Sequence, residues 1–152
     1  MTRIAGEVVI EAPVEEVFDL VADERNEPVY NPRIVRAEKV GDKPVGPGAR
    51  YAVEPRGTGR RGEMTVETVE YDRPRRLRNV VVSSYLMVDG VLAFTPVGDH
   101  TRLRWDWDMR LVGPVRLFSP LLALVGPRWE RRNWVGLKEH VESRRTPPGA
   151  TG

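Results

Sequence analysis

Two aspartates separated by one tryptophan are the first residues in this sequence whose types and spacing could do chemistry. Asp106 and Asp108 lie in the stretch RLRWDWDMRL, residues 102–111, in which charged and apolar residues alternate strictly. In an extended strand, residues two apart share a face and lie roughly 6.5 Å apart. That distance is near the carboxyl spacing of inverting glycosidases, so the pair could act as general acid and general base.

The neighbours of the two aspartates argue against this acid–base interpretation. The same face of the strand carries three arginines: Arg102, Arg104 and Arg110. A nearby guanidinium lowers the pKa of a carboxyl, whereas a general acid needs a raised pKa. Burying this face would also expose two tryptophans, whose burial is each worth at most about 4–6 kcal/mol. We therefore predict that Asp106 and Asp108 face solvent.

The apolar face of the same strand is the better candidate for ligand binding. Its members are Leu103, Trp105, Trp107, Met109 and Leu111. They could simply fill a core, or the two indoles could form the wall of an internal pocket, because each offers a broad apolar ring and an N–H donor. We predict that at least one of Trp105 and Trp107 lines a pocket.

Few other residues offer conventional catalytic chemistry. The sequence has no cysteine and two histidines, His100 and His140. Thiolate nucleophiles, the usual metal sites and the usual catalytic triads are therefore not expected. The stretch GTGRRG, residues 57–62, has the letters of a dinucleotide-binding fingerprint, but the residues after it alternate as a strand and do not open a helix. We predict a hairpin tip there, and neither a metal nor a cofactor.

The composition is that of a soluble globular protein. The chain has 152 residues, of which 40% are hydrophobic and 30% charged, with 24 basic and 22 acidic residues interleaved along it. This interleaving argues against nucleic-acid binding, which concentrates basic charge on one face. We expect a cytoplasmic protein without a secretory signal, with one domain over residues 1–144 and a disordered tail over residues 145–152.

Hydrophobic periodicity predicts a strand, two short helices, six further strands and a long final helix. The first strand covers residues 3–11, and a helix follows from Pro13. The six later strands cover residues 34–40, 49–54, 63–71, 77–85, 88–97 and 101–111. Short, turn-rich connections predict antiparallel neighbours. In the last third, Pro120 and Pro127 divide the helical pattern, and we predict that Pro127 opens the final helix.

This order of segments resembles the START-like, or SRPBCC, superfamily, and more closely its polyketide cyclase/dehydrase branch. The matching stretches are VVIEAPVEEVFDLVAD, RNEPVYNPRI, VEYDRPRRL, FTPVGDHTRLRW and ERRNWVGLKEHVE, which together span Ile4 to about Glu142. The resemblance implies an α+β helix-grip fold of the Bet v 1/START-like type. In that fold, two short helices follow strand 1, and a curved seven-stranded antiparallel sheet wraps around the long C-terminal helix, with a cavity between them.

The resemblance also implies that side chains facing this cavity bind a hydrophobic small molecule, such as a lipid, a polyketide or an aromatic compound. The candidate ligand-binding residues are Tyr30, Asn31, Tyr51, Arg78, Tyr85, Phe94, Trp105, Trp107, Met109 and Trp134. Tyr30 and Asn31 would border the cavity mouth, although a turn anchored by the tyrosine fits them equally well. Arg78 and Arg132 could polarise a carbonyl if they point inward, or they could reach solvent.

The segment RLFSPLLALVGP, residues 116–127, is open to two interpretations. It could be a short buried helix that leads into the final one. It could instead be a lid or a membrane-docking edge by which a lipid enters. We predict the buried helix and no stable membrane insertion, because the longest apolar stretch, residues 120–127, is far shorter than the roughly 20 residues that span a bilayer.

Three functions are compatible with these features. The first, which we favour, is a binder or carrier with a nearly all-apolar cavity. The second is a polyketide cyclase or dehydratase, which needs at least two inward polar side chains within reach of one substrate position. The third is a protein-interaction module with a collapsed cavity. Since fold alone does not choose among them, no catalytic residue is assigned from the sequence.

Overall fold

The computed structural model describes residues 2–145, which form one antiparallel sheet packed against a long C-terminal helix. The strands are β1 (Thr2–Ile10), β2 (Ile34–Val40), β3 (Arg50–Pro55), β4 (Met64–Asp72), β5 (Arg76–Val82), β6 (Leu86–Val97) and β7 (His100–Leu111). The helices are α1 (Val14–Ala22), α2 (Glu27–Tyr30) and α3 (Ser119–Arg145). Short 3-10 turns cover Glu24–Asn26, Gly59–Gly62 and Gly113–Phe118. The element order confirms the predicted helix-grip fold.

The sheet is an open meander from β2 to β7, and β1 is added at the β7 edge. Its seven strands run in the order β1-β7-β6-β5-β4-β3-β2, and every neighbouring pair is antiparallel. Along β7, Leu103 and Trp105 are buried whereas Arg104 and Arg110 are exposed. The inner and outer faces of this strand are therefore those that the alternation predicts.

Helix α1 closes one end of the sheet. It follows Pro13, and Glu15 and Glu16 in its first turn complement the positive end of the helix dipole. Its buried stripe includes Phe18, whose ring packs edge-on against Phe94 of β6 at 5.1 Å between centroids. This end of the sheet is a tightly packed apolar core.

The apolar interior consists of two separate clusters. The larger joins α1 and α3 to the central strands, and the smaller lies on β2, β3 and β4 around Tyr51. On the inner face of β5, Leu77 belongs to the larger cluster and Val81 packs against the smaller one. Asn79 lies between these two residues and is buried. A polar residue therefore occupies the boundary between the two clusters.

The final helix begins earlier than predicted. Pro127 does not open it but lies inside α3, which starts at Ser119. An internal proline removes one backbone hydrogen bond, normally to the carbonyl four residues earlier. Here Pro127 and Ala123 are both exposed, so water can reach the carbonyl that loses its partner. The prediction of a short buried helix over residues 116–127 is also wrong, because Leu117, Phe118, Leu121 and Leu124 are exposed.

Most of the other predicted boundaries agree with the structure to within two residues. The main exception is the fourth of the six later strands, because β5 ends at Val82 and a turn closed by Ser83 and Leu86 contains Tyr85. The stretch GTGRRG forms a hairpin tip between β3 and β4, as predicted. Arg145 ends α3 and pairs with Glu16, and residues 146–152 of the predicted tail lie outside the described part. Among residues 2–145, no helix is long and apolar enough to cross a membrane.

Candidate functional site

Four aromatic side chains join the long helix to the concave face of the sheet. Trp134 of α3 stacks on Trp105 of β7 at 6.0 Å between ring centroids, and lies 6.3 Å from Trp107 and 6.5 Å from Tyr30. We call Tyr30, Trp105, Trp107 and Trp134 the aromatic cluster. Trp105 and Trp134 are buried and Trp107 is partly buried. Trp105 therefore contributes mainly to the core, and Trp107 is the more accessible of the two β7 indoles.

Two glycines on neighbouring strands make room for the β7 tryptophans. Gly6 of β1 pairs with Trp105, and Gly90 of β6 pairs with Trp107. A Cβ atom at Gly6 would come within 2.5 Å of the Trp105 ring, and one at Gly90 within 1.6 Å of the Trp107 ring. Each indole therefore lies flat across the adjacent strand. The Trp107 ring extends over Gly90 toward Asn79, the residue paired with Gly90 on β5.

A buried carboxylate from α3 holds the indole of Trp107. The Nε1–H of Trp107 donates to Oε2 of Glu130 at 2.7 Å. Burial raises the pKa of Glu130, while the Trp107 hydrogen bond and the Arg33 guanidinium, 3.7 Å away, oppose that rise. The sequence analysis did not single out Glu130. Its spacing of four residues before Trp134 on one helix was the available signal, since residues at i and i+4 share a face.

A second group of polar side chains lies at the boundary between the two apolar clusters. We call Glu24, Tyr51 and Asn79 the inner polar site. Asn79 Nδ2 donates to Glu24 Oε1 at 3.2 Å. Burial of the carboxyl, followed by the neighbouring charge of Glu27, raises the pKa of Glu24 well above its usual value. Burial, followed by the carboxyls of Asp23 and Glu24, raises the pKa of Tyr51 to about 12.

Electrostatic contacts through Glu27 connect the inner polar site to the aromatic cluster. The Glu27 carboxyl acts on Glu24 and also contributes to the raised pKa values of Tyr30 and Glu130, for both of which burial is the first cause. Asn31 holds Glu27 in place by donating to its Oε1 at 3.0 Å. Acidic groups from the short helices and from α3 thus face one interior region.

Several buried polar atoms in this region have no hydrogen-bond partner among residues 2–145. In the inner polar site they are the hydroxyl of Tyr51 and Oδ1 of Asn79, and in the aromatic cluster the unpaired atom is Nε1 of Trp105. An unsatisfied buried donor or acceptor costs about 1–3 kcal/mol. Native proteins rarely leave such atoms without water or a ligand, so these three atoms make the region a candidate binding site. The prediction of a nearly all-apolar interior is therefore wrong.

The other predicted ligand-binding residues are more dispersed. Asn31 is buried in a turn, where its Oδ1 accepts the backbone N–H of Arg33, so it supports Glu27 and is not a free ligand contact. Phe94 packs in the core beside α1, and Met109 is half-buried on β7 opposite Val88. The hydroxyl of Tyr85 donates to the carbonyl of Gly62 at the hairpin tip.

The two predicted arginines do not point into the interior. Arg78 lies on the outer face of β5, where its guanidinium pairs with Asp89 at 2.7 Å. The hydrogen bond from Arg78 is the first cause of the lowered pKa of Asp89. Arg132 is exposed on α3. Neither side chain can polarise a carbonyl in the interior, because inward and outward side chains alternate on a strand and a helix keeps its polar stripe toward water.

The aspartates of β7 lie on the same outer face, in a shallow groove of about 490 Å³ between charged strands. Arg3 binds Asp106 through two hydrogen bonds, which are the first cause of the lowered pKa of that carboxyl. A lowered pKa is unsuitable for a general acid. Asp108 is exposed nearby. Within residues 2–145, no group of three or more acidic, histidine or cysteine side chains could hold a metal ion.

A groove of about 560 Å³ lies on the surface where α2 packs against the C-terminal half of α3. Its lining includes Tyr30, Arg132, Glu139 and His140. Tyr30 therefore belongs both to this groove and to the aromatic cluster. The helices meet closely here, since a Cβ atom at Gly136 would come within 2.5 Å of the Tyr30 carbonyl oxygen.

Because of Glu24, the free energy of unfolding is expected to fall as the pH rises above the usual pKa of a glutamate. Because folding raises the Glu24 pKa, its contribution to the free energy of unfolding is fully present below the usual pKa of 4.5 and is lost as the pH rises through the folded value. In urea unfolding at several pH values, Glu24→Gln should reduce this loss. Asp106→Asn is the control, since the lowered Asp106 pKa confines its effect to acid pH below its usual 3.8. An unchanged pH slope in Glu24→Gln would contradict the assignment.

Comparison with known proteins agrees with the fold. The protein TTHA0849 from Thermus thermophilus superposes with a TM-score of 0.78 at 23% identity, over 93% of this chain and 98% of that one. A START superfamily protein from Mycobacterium smegmatis gives a TM-score of 0.78 at 16% identity, over 95% and 99%. The di-domain ARO/CYC protein BexL of the BE-7585A biosynthetic pathway gives 0.74 at 24% identity, over 97% of this chain and 48% of that one. Comparison with curated proteins finds no match.

The family assignment comes from the sequence profile of the whole domain. The profile described as "polyketide cyclase / dehydrase and lipid transport" matches residues 1–142. That range includes all seven strands, the short helices and nearly all of α3. The match over residues 1–142 shows that the chain belongs to the polyketide cyclase/dehydrase and lipid transport family, and the helix-grip fold and the element order agree with it.

Proposed function

We propose that the protein binds a neutral aromatic or polycyclic molecule that carries hydroxyl or carbonyl groups, between the inner polar site and the aromatic cluster. The observation that carries this proposal is the set of unpaired buried atoms: the Tyr51 hydroxyl, Asn79 Oδ1 and the indole N–H group of Trp105. They offer both donors and acceptors beside flat apolar surfaces. A planar molecule with oxygen substituents matches that combination.

The charge of the site argues against a carboxylate ligand. Glu24, Glu27 and Glu130 face the region, and the two cations that act on its groups, Arg33 on Glu130 and Arg25 on Tyr51, have exposed guanidinium groups. A fatty-acid carboxylate placed here would be desolvated beside acidic groups, which is unfavourable. Among the ligand classes implied by the family, an aromatic or polyketide compound therefore fits better than a free fatty acid.

Calorimetric titration of the full chain with the flavonoid apigenin, the anthraquinone emodin and oleate tests this proposal. We expect one of the two aromatic compounds to bind, and oleate to bind much more weakly. Tyr51→Phe removes a single oxygen and should weaken aromatic binding about fivefold, which corresponds to one hydrogen bond of about 1 kcal/mol.

Two variants serve as matched controls for that titration. Tyr85→Phe removes a hydroxyl that already bonds Gly62 at the hairpin tip, so binding should be unchanged. The double variant Asp106→Asn with Asp108→Asn alters only the outer face and should also bind normally. The proposal fails if no aromatic probe binds, if oleate binds best, or if Tyr85→Phe weakens binding as much as Tyr51→Phe.

A second candidate function, dehydration of a polyketide-type substrate, is favoured by the raised pKa of Glu24. A carboxyl whose pKa is raised keeps its proton to a higher pH and can donate it to a hydroxyl that leaves as water. The resulting carboxylate can then take the proton from the adjacent carbon, which forms the double bond and restores the protonated carboxyl. For this function, Glu24→Gln should retain binding of the aromatic probe but lower turnover about 10²- to 10⁴-fold.

Because the chain has no cysteine, we propose that the protein works in the reducing cytoplasm.

A further inference from the structure

An exposed apolar surface covers the beginning of α3 and the turn before it. Leu117 is 81% exposed, Leu124 is 74% exposed, and Phe118 and Leu121 are also more than half exposed. In the part of the chain that the structure describes, every exposed large hydrophobic residue other than valine lies within residues 117–129. Exposed valines are scattered over the strands, whereas these larger side chains form one contiguous patch.

The patch continues into a basic stripe on the same helix face. Leu121, Leu124, Arg128 and Arg131 follow at intervals of three and four residues, so they share one side of α3. The opposite side packs on the sheet, where a Cβ atom at Gly126 would come within 2.5 Å of the Ile4 side chain. At about 1.5 Å per residue, Arg128 and Arg131 lie about one and two helical turns beyond Leu124 along the helix axis.

The charges around this patch have one sign. Arg116, Arg128 and Arg131 are exposed, and the sequence contains no acidic residue between Asp108 and Glu130. This contrasts with the centre of the outer sheet face, where arginines pair with nearby carboxylates, as in the Arg3–Asp106 and Arg78–Asp89 pairs. A leucine-rich end followed by unopposed arginines matches the layering of an anionic bilayer surface, in which acyl chains lie below phosphate groups.

We propose that residues 113–131 dock this protein reversibly on the surface of an anionic membrane. Leu117, Phe118, Leu121 and Leu124 enter the boundary between headgroups and acyl chains. Arg128 and Arg131 bind lipid phosphates. The docking is peripheral, since α3 is too polar to span a bilayer. This inference rests on the surface of α3 and is independent of which molecule occupies the interior.

Sedimentation of the full chain with lipid vesicles tests the proposal. We expect the protein to pellet with vesicles made of equal parts phosphatidylcholine and phosphatidylglycerol, and far less with phosphatidylcholine alone. Leu121→Glu combined with Leu124→Glu should lower the vesicle-bound partition coefficient at least about tenfold, because both inserted leucines become charged. Arg128→Gln with Arg131→Gln should remove most of the preference for anionic vesicles.

A matched control separates the patch from general surface hydrophobicity. Val40 on β2 is 52% exposed, as is Leu121, and Val82 on β5 is 46% exposed, so Val40→Glu with Val82→Glu adds the same two carboxylates away from the patch and should bind vesicles normally. Equal binding of the double leucine variant and the wild type would overturn the proposal, and so would failure of the wild type to bind anionic vesicles. A dimer that dissociates in the leucine variant, without vesicle binding, would assign the patch to a second copy of the chain instead.

Discussion

The Trp134→Ala variant is expected to unfold with a free energy about 4 kcal/mol lower than that of the wild type. Trp134 is only 4% exposed and packs against the three other members of the aromatic cluster. Its truncation therefore leaves a cavity between α3 and the sheet. Removing a buried tryptophan costs about 3–5 kcal/mol, because the lost transfer free energy adds to the cavity term. Urea unfolding followed by circular dichroism, with the slope of the transition compared as well, measures this loss.

Trp129→Ala provides the matched control on the same helix. Trp129 is 46% exposed, and its ring contacts the Arg33 guanidinium, 5.6 Å from the ring centroid. An exposed contact of this kind is worth about 0.5–1 kcal/mol, so Trp129→Ala should cost no more than that. Similar losses in both variants would show that the aromatic cluster is not the packed centre of the domain.

Gly90→Ala is expected to lower the free energy of unfolding by about 3 kcal/mol, although it adds only one methyl group. Glycine inside a strand normally costs about 0.5–1 kcal/mol relative to alanine, so the change would usually stabilise. Gly90 does not have the positive φ that would require glycine. Its new Cβ would instead fall within 1.6 Å of the Trp107 ring. The ring must move and release its hydrogen bond to Glu130, and such overpacking costs about 1–3 kcal/mol.

A double-mutant cycle with Trp107→Leu isolates the cause. In the Trp107→Leu background the ring is absent, so Gly90→Ala should be neutral or slightly stabilising. Thermal and urea unfolding of the four proteins give the coupling energy, which should be close to the full cost of the single substitution. If Gly90→Ala destabilises both backgrounds equally, its effect comes from the backbone of β6, and the role assigned to the Trp107 ring is wrong.

The alternation within β7 could be read correctly because it is a local property. A strand turns successive side chains to opposite faces, and a charged face is far cheaper to hydrate than to bury. This reasoning placed Asp106 outside, where Arg3 binds it. The order of elements led to the helix-grip fold for a related reason, since short connections leave successive strands few partners other than each other.

Local patterns were less informative where tertiary contacts decide the outcome. Pro127 looked like a helix start because proline is common there, but the exposed position of Ala123 lets the helix run through it. Leu121 and Leu124 looked buried because leucine is usually internal, yet α3 presents the opposite side to the sheet. The sequence could not show that Arg78 pairs with Asp89 of the neighbouring strand β6, and this pair holds the guanidinium on the outer face of the sheet.

The sequence by itself determined the order of the elements and the faces of the strands, because these follow from periodicity along each segment. Its resemblance to a known family implied the helix-grip fold and the aromatic residues that face the interior. Only the tertiary structure decided which polar groups meet in the interior. Glu24 and Asn79 are 55 residues apart, and Glu130 reaches Trp107 across 23 residues. The raised pKa values of Glu24 and Glu130 and the unpaired Oδ1 of Asn79 arise because these side chains are buried between separate elements of the fold. Burial of that kind leaves no pattern within any one segment.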